Sequence, residues 1–146
     1  MARWAALVVA ATTFLAVPSV ADATSSAQTF RHYMYDASLS EFLGARWALT
    51  PSDLDWGSDG CSTPLPAGLG DTGRSYNFRA ACQHHDFGYR NAPRFGLWNS
   101  SERKRIDDRF YSDMKADCAP RPWTQKTSCL AWASIYYSAV RVAGGP

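Results

Sequence analysis

Apolar residues recur at three- and four-residue intervals through much of this chain, and turn formers interrupt them at a few places. From Thr24 to Arg46, Phe30, Tyr33, Met34, Phe42 and Leu43 carry the helical period and predict one or two helical pieces. The period then stops. "TPSDLDWGSDGCSTPLPAGLGDTGRS", residues 50–75, is rich in Gly, Pro, Asp and Ser and predicts a long loop with at most short strands. A loop of that length in a compact domain is usually functional or tied down. Next, "SYNFRAACQHHDFGYRN" predicts a helix to about Asn91, stopped before Pro93. Asn99, with Glu102 three residues on, predicts an N-cap for a helix over "SERKRIDDRFYSDMKADC". Pro120 and Pro122 break it, and a last helix, "SCLAWASIYYSAVRV", ends before Gly144-Gly145. The pattern predicts a mainly α fold with two longer, antiparallel central helices.

The first residues do not belong to that pattern. "MARWAALVVAATTFLAVPSVADA" has one early arginine, an apolar run from Trp4 to Val17 and small residues at Ala21 and Ala23. This order predicts a secretory signal over residues 1–23, cut after Ala23, and length predicts one domain over residues 24–146. The other reading, a membrane anchor, needs a longer apolar run than one that Pro18 interrupts. The formal charge is +2, with both signs mixed along the chain, and no basic tract or nucleic-acid motif occurs, so no nucleic-acid partner is expected. The four cysteines, Cys61, Cys82, Cys118 and Cys129, form an even set in a chain read as secreted, which predicts two disulfides. Sequential pairing is the simplest arrangement, although spacing alone leaves the connectivity open. Zinc is the competitor, but no C-x-x-C pair is present.

Candidate chemistry lies in "ACQHHDFGYRN", where His84 and His85 stand side by side. On a helical wheel Phe78, Tyr89, Cys82 and Asp86 fall within about 100° on one side of His85. That arc reads as buried, with His85 and Asp86 facing inward. His84 lies about 100° the other way, near Asn91, and is expected toward the flank. A core histidine satisfied by a hydrogen bond is the plain alternative for His85.

The following helix sharpens the choice. Ile106, Phe110, Met114, Cys118 and Tyr111 span about 140°, and Asp107 falls inside that apolar arc whereas Asp108 does not. A carboxylate on an apolar face needs a partner, and a facing imidazole is one. Asp113 and Asp117 sit at the arc's other edge, so the wheel favours Asp107 without excluding them. A histidine held by a buried aspartate is a base with its orienter. No G-x-S-x-G nucleophile motif occurs, which leaves water as a nucleophile. Asp86 and the acidic loop "DLDWGSDGC" offer oxygen ligands for a hard cation such as calcium, without the spacing of an EF-hand.

"DGC" at 59–61, "ACQHHDFGYRN" at 81–91 and "RID" at 105–107 resemble the secreted phospholipases A2 of bacteria and fungi, over about Trp56 to Tyr137. The resemblance implies a small disulfide-linked helical domain with a calcium-binding loop, which cleaves the sn-2 ester of glycerophospholipids. It implies His85 as base, Asp107 as its orienter and Tyr89 as a supporting hydroxyl. It likewise implies Ca2+ held by Asp59, the Gly60 carbonyl and Asp86, and the pairs Cys61–Cys82 and Cys118–Cys129. A monomer working peripherally at membrane or micelle surfaces is expected. The chain departs from that pattern in the longer "PLPAGLGDTG" insertion, in Gly60, and in His84, where relatives often carry arginine. A calcium- or lipid-binding protein without turnover, or a structural disulfide protein, would be the alternative.

Overall fold

In the computed structural model, residues 20–61 and 76–143 are described. The expected signal segment lies almost wholly outside them, as do the whole "PLPAGLGDTG" stretch and Gly144-Gly145. Five α-helices make up the described part: α1 Val20–Arg31, α2 Leu39–Ala48, α3 Arg79–Asn91, α4 Ser100–Cys118 and α5 Trp123–Ala143. The fold is mainly α, with no strand among the described residues. Among the described residues, no helix is long and apolar enough to cross a membrane.

The N-terminal periodic stretch divides into two α-helices joined by a π-helical turn, His32–Asp36. Ala37 is extended, and the Ser38 hydroxyl accepts from the Glu41 backbone N–H at 3.2 Å, so Ser38 restarts the chain as the N-cap of α2. Pro93 forces α3 to stop at Asn91, and a short turn over Pro93–Phe95 closes on Gly96 at φ 66°. Asn99 then caps α4, its side-chain oxygen accepting from Ser101 N at 3.0 Å and Glu102 N at 2.9 Å. The last helix starts at Trp123, earlier than the apolar period alone indicates. Its first N–H groups find the Pro122 carbonyl, which accepts from Gln125 and Lys126 at 2.9 Å each.

Helices α3 and α4 form the centre. As position rises along α3 from His84 to Tyr89, its partners on α4 fall from Asp113 to Arg103, so the two run antiparallel. One apolar cluster gathers Phe78, Cys82, Phe110, Met114, Ala133 and Tyr136 between α3, α4 and α5. The other packs Phe30, Met34, Phe42, Trp56, Phe87 and Ile106 on the opposite side. Disulfides tie the edges: Cys61–Cys82 fastens the loop to α3, and Cys118–Cys129 fastens α4 to α5. Each crosslink typically contributes about 2–4 kcal/mol.

Gly88 of α3 packs directly against Ile106 of α4. A β-carbon there would lie 2.6 Å from Ile106 Cγ2 and 2.9 Å from Met34 Sδ, with all of these groups buried. Gly88→Ala should therefore lower stability by about 1–3 kcal/mol, the cost of overpacking a core that cannot shift. Urea denaturation measures it, and an unchanged midpoint would mean the helices separate more easily than this packing implies.

Candidate active site

His85 and Asp107 meet across the α3–α4 crossing. His85 Nε2 lies 2.8 Å from Asp107 Oδ1. The Asp107 side chain is fully buried, while His85 keeps a sliver of exposure, 9 %. The imidazole is held between the rings of Tyr89, at 4.3 Å, and Phe110, at 4.7 Å. Tyr89 donates its hydroxyl to the same Asp107 oxygen at 2.9 Å and has Trp98 edge-on behind it.

Burial alone would raise the pKa of Asp107. Hydrogen bonds from His85, Arg141 and Tyr89 more than offset it, so the carboxyl stays below its ordinary range. An ionised carboxylate can only accept, so Nε2 carries the proton and Nδ1 is the nitrogen left with a free lone pair. Burial likewise leads the changes at Tyr89: with the charge of Asp107 it outweighs the hydrogen bond from Arg103, and the phenol is pushed up to about 12. That hydroxyl remains a donor throughout the physiological range.

The loop side is built from Ser58, Asp59, Gly60 and Asp86. Ser58 was not singled out in the sequence, yet its hydroxyl donates to Asp86 Oδ2 at 2.6 Å and accepts from Gly60 N at 3.1 Å. Gly60 sits at φ 79°, a backbone conformation that residues with a β-carbon rarely adopt. The pKa of Asp86 is raised, first by burial and then by the neighbouring Asp59 charge, against the opposing Ser58 hydrogen bond. Two carboxylates brought together beside a left-handed glycine offer the oxygen donors that a hard cation such as calcium takes. The loop is anchored from α3. Asn91 accepts from Asp55 N at 2.8 Å and donates to the Asp55 and Phe87 carbonyls at 2.8 and 2.9 Å. Another cluster of metal-type groups, Asp117 with Cys118 and Cys129, offers no thiolate, because both sulfurs form one disulfide.

One expectation is corrected. His84 does not point to the flank; it is fully buried. Its Nδ1 lies 2.7 Å from Asp113 Oδ2, its Nε2 lies 2.9 Å from the Tyr33 carbonyl, and its ring stacks on Phe42 at 4.3 Å. Arg109 donates to the other Asp113 oxygen at 3.0 Å and to the carbonyls of Tyr35 and Ala37. The reason is that α3 packs on two sides, so the flank that carries His84 is also interior. Asp113, at the edge of the apolar arc of α4, serves this second pair rather than the first.

Arg103 and Arg141 were also missed. They approach Asp107 Oδ2 from α4 and from the far end of α5, at 3.7 and 2.7 Å. No local signal in the sequence connects Arg141 to Asp107, 34 residues away.

Taken together, fold and site define a small, disulfide-linked helical domain with a histidine–aspartate pair at its centre. Comparison with known proteins narrows the class. Residues 30–144 match the family model for prokaryotic phospholipase A2. A protein of Arthroderma benhamiae named secretory phospholipase A2 is 35% identical over 133 residues, covering 88% of this chain and 86% of that protein. One of the same name from Beauveria bassiana is 39% identical over 113 residues, 77% of this chain and 56% of the relative. The chain therefore belongs to the prokaryotic phospholipase A2 family and is an enzyme of that class.

Proposed function

We propose that this protein is a secreted, calcium-dependent phospholipase A2 that releases the sn-2 fatty acid of glycerophospholipids with a histidine–aspartate pair activating water. The observation that carries the reading is the commitment of His85 Nε2 to Asp107, which leaves Nδ1 to take a proton. Water attacks the sn-2 carbonyl carbon as Nδ1 removes its proton. The imidazolium, stabilised by ionised Asp107, then gives that proton to the departing glycerol oxygen as the acyl C–O bond breaks. The products are a fatty acid and a lysophospholipid, and His85 returns to its starting state. Tyr89 keeps Asp107 oriented throughout. Asp59, Asp86 and the Gly60 carbonyl are the groups that would hold calcium. When bound, the ion supplies the positive charge that polarises the ester carbonyl and binds the substrate phosphate. Secretion is supported by the reading of residues 1–23, by two disulfides and by relatives named secretory.

Fatty-acid release from an sn-2-labelled phospholipid in mixed micelles tests this. Release should require calcium, stop in excess chelator and recover poorly with magnesium, which demands tighter octahedral geometry. No release with calcium present would end the hydrolase reading, and full release in chelator would end the metal assignment. Asp59→Asn should raise the calcium needed for half-maximal rate while leaving the calcium-free melting temperature alone, since the residue lies on a loop. An unchanged requirement would move the ligand to another carboxylate.

A further inference from the structure

We propose that Arg141, on the last turn of α5, is a positioning residue for this hydrolysis, holding Asp107 ionised and turned toward His85; the inference rests on the reading just given. Asp107 Oδ1 is shared by His85 and Tyr89. The other oxygen has one direct hydrogen bond, from Arg141 Nη1 at 2.7 Å. Arg103 stands off at 3.7 Å, and its guanidinium is engaged elsewhere, donating to the Val140 and Arg141 carbonyls at 3.1 and 2.7 Å. Those are carbonyls of a helix C-terminus, which lack partners within the helix. Arg103 thus fastens the turn that delivers Arg141, and Arg141 fastens the carboxylate.

The consequence is electrostatic as well as geometric. A fully buried carboxyl drifts toward its neutral form unless charge-assisted hydrogen bonds hold it ionised. A neutral Asp107 would no longer stabilise the imidazolium, and a carboxylate fixed at one oxygen could swing. Arg141 also repels the imidazolium. That effect is the smaller one, because its charge lies beyond Asp107 and its side chain is 31 % exposed and screened by water. The ion pair that Arg141 makes is with Asp107, which is not one of the calcium-binding groups. Its loss should therefore act on turnover and leave substrate and calcium affinity alone.

The experiment compares Arg141→Gln, Arg141→Lys, Arg141→Ala and His85→Gln with the unaltered protein on mixed micelles in saturating calcium. Lys104→Gln, which removes an exposed cation on α4 paired with Asp108, serves as the charge control and should be fully active. Arg141→Gln should lower kcat by about 10–100-fold, the size typical when a partner that orients an active group is lost. Its KM and half-saturating calcium should not change. Lysine should restore most of the rate, and added guanidinium ion should partly rescue Arg141→Ala through the solvent-facing gap. An unchanged kcat in Arg141→Gln beside a dead His85→Gln would overturn the proposal. So would a parallel fall in kcat, substrate affinity and melting temperature with no rescue by lysine or guanidinium, the mark of a strut alone. An active His85→Gln would overturn the hydrolytic reading, and this inference with it.

Discussion

His85→Gln should turn over phospholipid about 10²–10⁴-fold more slowly than the unaltered protein, the usual cost of removing a general base. The variant should nevertheless fold and bind calcium normally. Glutamine is close to histidine in reach, and its amide can still donate to Asp107 where Nε2 does now, at 2.8 Å. The ring's neighbours, Tyr89 and Phe110, lose a contact surface but no hydrogen bond from His85. Asp86 and Asp59 keep their carboxylates, so calcium titration should give the same midpoint. What disappears is a ring nitrogen with a lone pair to take a proton, and an amide cannot replace it. The measurement is initial rate on mixed micelles, with circular dichroism and calcium titration on the same preparation. An active His85→Gln variant would remove the catalytic role from this residue.

That variant draws on features legible in the sequence. The helical period separated an inward-facing arc on each central helix, and an aspartate within an apolar arc demanded a partner. Capping chemistry was equally local: Asn99 with Glu102 marked the start of α4, and Pro93 marked the end of α3. The early start of α5 was less visible, because Trp123-Thr-Gln-Lys-Thr-Ser carries little apolar period. Its residues are largely exposed there, and Pro122 rather than burial launches the helix. The wheel failed at His84 for a different reason. A wheel assumes one buried face, whereas α3 is wrapped by α4 and α5 on one side and by α2 and the π-helical turn on the other. Polar groups on such a helix are interior through pairing, as His84 and Asn91 are, and hydrophobicity gives no sign of that. Ser58 and Arg141 were invisible because their partners are set by loop conformation and by the crossing of α5 over α4.

His84→Leu should behave as the mirror image of His85→Gln, losing stability and keeping chemistry. His84 joins four parts of the fold: it sits on α3, stacks on Phe42 of α2, and bonds Asp113 of α4 and the Tyr33 carbonyl in the π-helical turn. Leucine fills much of the volume but satisfies neither partner. A carbonyl left buried without a donor costs about 1–3 kcal/mol, and losing a hydrogen bond to a charged group removes roughly another 1.5–3 kcal/mol. Asp113 still has Arg109 at 3.0 Å, so no unpaired charge is left in the core and the loss stops short of a fully broken ion pair. The two losses together, about 2.5–6 kcal/mol, are a large part of the 5–15 kcal/mol typical of a domain. Urea denaturation without calcium should show the midpoint fall, and turnover measured well below the melting temperature should stay within a few-fold of the unaltered rate. His84→Arg tests the cause, since a guanidinium can donate to Tyr33 and Asp113 together and should recover part of the stability. A His84→Leu variant as stable as the unaltered protein would mean that the Asp113 and Tyr33 contacts carry no net energy. One that is stable yet inactive would place His84 in the reaction instead.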